Sequence, residues 1–202
     1  MSIISDFRND KGVWAKSLYI DGKVHHTRSG QTWWGIATRC KVGGLYQRKN
    51  PAYIGCEMSK NFRDFQYFAN WHIAQVGYNI GSYQLDKDIL SKKKLYSEDV
   101  CVLVPSQLNT FMLDGAAIRG PHPQGVSWHK RDNVFHARLS IDGRMEHLGT
   151  YSTSCAAHEA YKQAKESEAY RWYERLKAGE FVVDERVIER MRTWTLPKEK
   201  LE

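Results

Sequence analysis

The chain has 202 residues, 42% hydrophobic and 26% charged, with a formal net charge of +7. That balance describes an ordered chain with room for one or two domains and argues against a disordered tail. No apolar run approaches the ~20 residues needed to cross a bilayer, so no membrane partner is expected.

The opening MSIISDFRNDKG lacks a long apolar stretch behind a basic lead, so no secretory signal is expected and the cytoplasm is the anticipated compartment. Cys40, Cys56, Cys101 and Cys155 are scattered and form no CxxC pair. They read as reduced and mostly buried thiols, not as a zinc or redox motif. Residues 1–114 carry 15 Lys and Arg against 10 Asp and Glu, and residues 115–202 carry 15 against 13. Both halves are basic without block-like charge runs, which suits a polyanionic partner such as DNA or RNA.

Taken in chain order, 13–28 alternates around Asp21-Gly22, the signal for a hairpin with a tight turn. Trp33, Trp34, Ile36, Ala37 and Cys40 fit one face of a short helix from Thr32 to Cys40. Residues 60–76 predict a single helix with Phe62, Phe65, Phe68, Ala69, His72, Ile73 and Val76 along one stripe. Leu85–Asn109 then predicts an apolar strand ending in acid, a basic loop, a second apolar strand and a helix start. That order lets a strand-borne oxygen and an amide from a helix's first turn share one hard divalent cation.

The Gly- and Pro-rich stretch 114–124 predicts a joint between domains. Beyond it, Gly125–Tyr151 predicts three short strands with turns at Arg131–Asn133 and Asp142-Gly143. A helix follows over 155–178, capped by Thr153 or Ser154, and a shorter one over Asp184–Trp194. Strand periodicity turns Val126, Trp128, Val134 or Phe135, Ala137, Leu139 and Leu148 toward that helix, where Ala156, Ala160 and Ala164 would permit close approach. Ser127, His129, His136, Arg138, Ser140, Met145 and His147 would then occupy the outer face, with Lys130, Arg131 and Arg144 at the turns. A ribbon of this width fits a major groove, with Arg138 the best candidate for a bidentate guanine contact.

The run GVSWHKRDNVFHARLSIDGRMEHLGTYSTSCAAHEAYKQA resembles an AP2 domain. The resemblance implies three antiparallel strands packed on one helix, with the sheet reading double-stranded DNA. Met145 and His147 depart from the Arg and Trp that many plant members carry, so no sequence preference transfers. The first half, through TWWGIATRCK, NPAYIGCEMSKNFRDFQYFANW and LDKDILSKKKLYSEDVCVLVPSQLN, is similar to phage-type HNH-like proteins that pair this core with a C-terminal AP2 domain. That similarity implies a ββα-metal fold over 1–114, an AP2-like domain with C-terminal helices over 115–202, and an α+β class.

By the same resemblance the activity is DNA hydrolysis of the homing-endonuclease kind, in a phage-infected or lysogenic bacterial host. Asp86 and Asn109 match the metal ligands, for Mg²⁺ or Mn²⁺. Lys87 stands where such enzymes place a histidine, and Val100 where they often carry an Asn. Lysine is a poor base at its ordinary pKa near 10.4, so Lys87 is expected either to clamp phosphate or to yield the base role to His72 or Tyr96. Lys92, Lys93 and Lys94 are expected to contact backbone phosphate. The alternatives are a catalytically inactive, sequence-specific DNA-binding protein on a degenerate HNH-like scaffold, and a virus-encoded protein that docks a host or virion protein through exposed aromatics.

Overall fold

The computed structural model describes residues 3–113 and 120–197 and is mixed α+β, with seven α-helices and several small sheets among those residues. Two compact units divide between Leu103 and Val104, upstream of the joint read from 114–124. Part of that stretch, 114–119, lies outside the described residues. No helix among the described residues is long and apolar enough to cross a membrane.

In the first unit, β2 (Ser17–Ile20) and β3 (Lys23–Thr27) form the expected hairpin. Asp21 and Gly22 both take positive φ, 49° and 73°, as a two-residue turn matched to strand twist requires. β1 (Ile3–Ile4) adds in parallel to β3.

Helix α1 (Arg28–Cys40) begins four residues before the position read from apolar spacing. Its first turn is polar, so periodicity was silent there; the hydroxyl of Thr27 caps it instead. Thr27 Oγ1 accepts from Gly30 N at 3.0 Å and donates to Ala15 O at 2.9 Å. Such a cap contributes about 1 kcal/mol. Gly30 admits no larger residue, since a Cβ there would lie 2.0 Å from the carbonyl oxygen of Lys16.

A short helix, α2 (Leu45–Lys49), and a two-residue strand, β4 (Glu57–Met58), follow. The single helix expected over 60–76 is two: α3 (Lys60–Arg63) and α4 (Phe65–Ile73). Asp64 makes the break by leaving helical geometry (ψ 116°) and accepting from Gln66 N at 2.8 Å as the cap of α4. Helix α4 ends at Ile73, so Val76 lies beyond it and is exposed. Both helices still bury the expected stripe: Phe62, Phe65, Phe68, Ala69 and His72 are buried. Those apolar residues join Ile36, Met58 and Tyr96 in one core, with Phe62 edge-on to Phe68 at 5.1 Å. Edge-to-face contact is one of the arrangements that ring quadrupoles favour over a face-to-face sandwich.

Strand β5 (Tyr83–Asp86) follows, then β6 (Leu95–Tyr96), which pairs in parallel with β4. Strand β7 (Val102–Pro105), in which the division between units falls, pairs with β5 and runs directly into α5 (Ser106–Met112).

The second unit contains the three expected strands, β8 (Val126–His129), β9 (Val134–Ile141) and β10 (Arg144–Tyr151), in an antiparallel meander with β9 central. Asn133, Asp142 and Gly143 take the positive φ of its turns. Helix α6 (Ser154–Lys177) packs on this sheet, capped by Thr153, and α7 (Glu185–Arg192) packs on α6.

Ala137 and Leu139 are buried beneath α6, as strand alternation requires. Between Val134 and Phe135, the residue on the helix side is Phe135, whose ring lies 4.7 Å from that of Trp128. Val134 pairs with His129 on the other face. The helix's close-packed alanines are Ala157 and Ala169; Ala156 is exposed, and Ala160 and Ala164 are half-buried. Tyr161 sets the spacing at the start of the sheet. Gly125 (φ 77°) passes so near its ring that a Cβ would lie 1.9 Å from Cδ2.

Candidate nucleic-acid interface

The register of the meander decides which side chains share its outer face. Ser127 lies opposite His136 and His129 opposite Val134. Across the other ladder, His147 lies opposite Arg138 and Met145 opposite Ser140. All seven residues expected on the outer face are therefore on it together. Ser127, Arg138, Ser140, Met145 and His147 are exposed, while His129 and His136 are half-buried by one another.

The imidazoles form a cluster: His129 stacks on His136 at 4.7 Å and 14°, and His147 meets His136 edge-on at 5.1 Å. An Arg138 Nη2 hydrogen donates toward His136 Nδ1 at 3.3 Å. Desolvation, then His129, Arg138 and His147, holds the His136 pKa below its ordinary value. An anion placed over this face would relieve that repulsion. Lys130, Arg131 and Arg144 are exposed at the strand ends. Asp132 tempers them locally, 3.2 Å from His129 Nδ1 and 3.9 Å from Arg131 Nε. No carboxylate belongs to the outward-facing strand positions themselves.

In the strand–strand–helix segment, the acid and the lysine after it are both engaged by neighbouring groups. Asp86 ends β5, and its Oδ1 accepts from Asp88 N at 2.8 Å and Ile89 N at 2.6 Å, closing a tight turn. Burial pushes its carboxyl pKa up, against the pull of those two amides. Lys87 is 5% exposed, ion-paired with Asp88 and 5.6 Å above the Tyr96 ring. Its ammonium is thus directed into the fold and engaged. Lys92, Lys93 and Lys94 are exposed in the connection from β5 to β6, with Lys94 Nζ donating to Ile54 O at 2.6 Å. Asn109 lies on α5, in the second unit, and Asp86 in the first. Among the described residues, no group of three or more His, Cys, Asp or Glu side chains could hold a metal ion.

His72 sits inside the aromatic core at 1% exposure, stacked on Phe68 at 5.2 Å and edge-on to Tyr78 at 5.1 Å. The Ser29 hydroxyl bridges Asp6 Oδ2 (2.9 Å) and His72 Nδ1 (2.8 Å). With its one proton given to the carboxylate, that hydroxyl accepts from Nδ1–H, and Nε2 faces the core without a partner. Burial, then the charge of Arg28, pushes the His72 pKa down to about 3. A neutral, enclosed imidazole of this kind holds α4 to α1 and does not reach a solvent phosphate.

Three features escaped sequence reasoning. Asp6 and Ser29 lie far from His72 along the chain, so no spacing links them. Lys165 and Glu168 are buried on α6 although their type reads as solvent-facing. Lys165 donates to Phe111 O and stands 3.8 Å from that ring's centroid, and burial lowers its amine to about 8. Trp34, Arg39 and Tyr46 line a cleft whose walls meet only in the fold. Of the cysteines, all free, Cys56 and Cys101 are buried, Cys40 is half-buried and Cys155 is exposed. Compared with known proteins, the chain matched no family model, no curated protein and no solved structure.

The neutral His72 links stability to pH. The unfolded histidine titrates near 6.5 and the folded one near 3, so the unfolded chain binds the extra proton between those values. This contribution is complete above pH 6.5 and lost as pH falls toward 3, at up to ~1.4 kcal/mol per pH unit. Urea titrations of wild type at pH 7 and pH 5 should show that loss, and His72→Gln should show a smaller one. An equal pH dependence in both proteins would contradict the assignment.

Proposed function

We propose that the protein binds duplex DNA through the outer face of the β8–β9–β10 sheet, as an AP2-like domain, beside an HNH-like core. The observation that carries the reading is the register of β9. It gathers His136, Arg138 and Ser140 with Ser127, His129, Met145 and His147 on one outward face whose strand positions carry no carboxylate. Lys130, Arg131 and Arg144 at the strand ends suit phosphate, and Arg138 near the centre suits a base edge. The basic balance of the whole chain agrees with a polyanionic partner.

A second reading, a divalent-metal-dependent HNH-type endonuclease, is favoured by one observation: β5 ends on Asp86 and pairs with β7, which leads straight into the helix carrying Asn109. Asp86 fits one oxygen ligand of Mg²⁺ or Mn²⁺ through Oδ2, its Oδ1 being taken by two amides. When bound, the ion would supply Lewis-acid stabilisation of the phosphodiester. The place of the usual base holds the ion-paired Lys87, and His72 is enclosed. Binding without cleavage therefore leads, on a scaffold of HNH type.

Arg138→Ala should weaken binding to a preferred duplex by about 1–3 kcal/mol, or roughly 5- to 150-fold, and relax discrimination among sequences. Gel-shift titrations at one fixed salt concentration measure this; unchanged affinity would remove the sheet from the interface. Supercoiled plasmid incubated with Mg²⁺ or Mn²⁺ should stay intact. Nicking by wild type that Asp86→Ala abolishes would establish the endonuclease instead.

A further inference from the structure

The first unit contains a cleft that the sheet-centred reading leaves unused. It has a volume of about 310 Å³ and is lined by His26 of β3, by Gln31, Trp34, Thr38 and Arg39 of α1, and by Tyr46 of α2. This lies at the small end of the ~300–1,000 Å³ typical of ligand sites, suited to one planar group and too small for a duplex. The Trp34 indole is half open to solvent at 50% exposure, with Lys16 over its ring at 5.7 Å. The Arg39 guanidinium is bonded to the Tyr46 hydroxyl and lies 5.6 Å from the Tyr53 ring centroid.

Two polar atoms here are unanswered. Arg39 Nε and His26 Nδ1 are both sequestered from solvent, and neither has a hydrogen-bond partner among the described residues. Leaving such atoms unpaired is costly, and a ligand oxygen or ring nitrogen would satisfy them once the two side chains turn toward the cleft.

Charge restricts the ligand further. No Asp or Glu occurs from Gly22 to Cys56, a stretch that holds six Lys and Arg and builds every wall of the cleft. The site is therefore aromatic and donor-bearing, with no carboxylate among the residues that line it. Those are the features that take a base by its face and a phosphate by its charge. A paired base hides its faces in the stack, so only an unpaired one can be received.

We infer that this cleft binds one unpaired nucleotide of a DNA strand, stacked on Trp34 and held by Arg39 and His26. The inference rests on the DNA-binding reading for its biological setting and on the cleft alone for its chemistry. The sheet would engage the duplex while the first unit takes a base at a frayed or opened end.

Anisotropy titrations with the full chain and three probes test it: a blunt duplex, the same duplex with a forked end, and a short oligothymidine. Wild type should bind the fork about tenfold more tightly than the blunt duplex, the size of one base–aromatic stack. Trp34→Ala and Arg39→Gln should erase that gain and leave blunt-duplex affinity unchanged, with Trp34→Phe recovering part of it. Oligothymidine should quench tryptophan emission in wild type and much less in Trp34→Ala.

Equal affinity for fork and blunt duplex in wild type would overturn the cleft and spare the sheet. So would an equal loss on both probes in Trp34→Ala. Absent duplex binding with Trp34-dependent oligothymidine binding would overturn the sheet and spare the cleft. Binding to none of the three overturns both.

Discussion

Burial of Ala137 and Leu139 beneath α6 organises the whole of the second unit's sheet. Side chains alternate along a strand, so placing these two inward fixes His136, Arg138 and Ser140 outward. A slip of one residue would expose Leu139, forfeiting about 1.5–3 kcal/mol, and bury the Arg138 guanidinium at a far larger cost. The ladders to β8 and β10 then transmit this choice, aligning Ser127 and His129 on one side and Met145 and His147 on the other. The chemistry of the face follows from packing on its reverse.

The helix side explains why that packing is tight. Gly125 passes against the Tyr161 ring, where no Cβ fits, and Ala157 is fully buried. These small residues let α6 lie close enough to cover the central strand. Lys165 and Glu168 share that buried helix face, with Lys165 answered by the Phe111 carbonyl and ring, and Glu168 Oε2 lying 3.2 Å from Arg171. Buried charges persist only where such partners exist.

The meander was legible because its signals are local. Alternation, the Asp142-Gly143 turn and the Thr153 cap each act within a few residues, and each appears in the fold where expected. The same local logic failed where a polar side chain overrode an apolar stripe. Asp64 splits a continuous run of buried aromatics into two helices, and Thr27 starts α1 at a polar turn ahead of its apolar face. For α6, the spacing of alanines suggested a buried face, but Tyr161, Trp172 and Leu176 set the helix's rotation and turned Ala156 outward. In the first unit, identity of residue types did not reveal their engagement. Asp86 and Lys87 look free in sequence, yet one closes a turn and the other is ion-paired inside the fold. The cleft at Trp34 was not legible at all, since its walls come from a strand and two helices.

Amide chemical-shift mapping during titration with duplex DNA shows whether the outer face of the sheet receives the duplex. Shifts should concentrate on Ser127, His129, His136, Arg138, Ser140, Met145 and His147 and at the Lys130–Arg131 and Arg144 turns, while buried α6 positions such as Ala157 and Ala169 stay still. Saturable binding whose shifts leave this face untouched would place the duplex elsewhere.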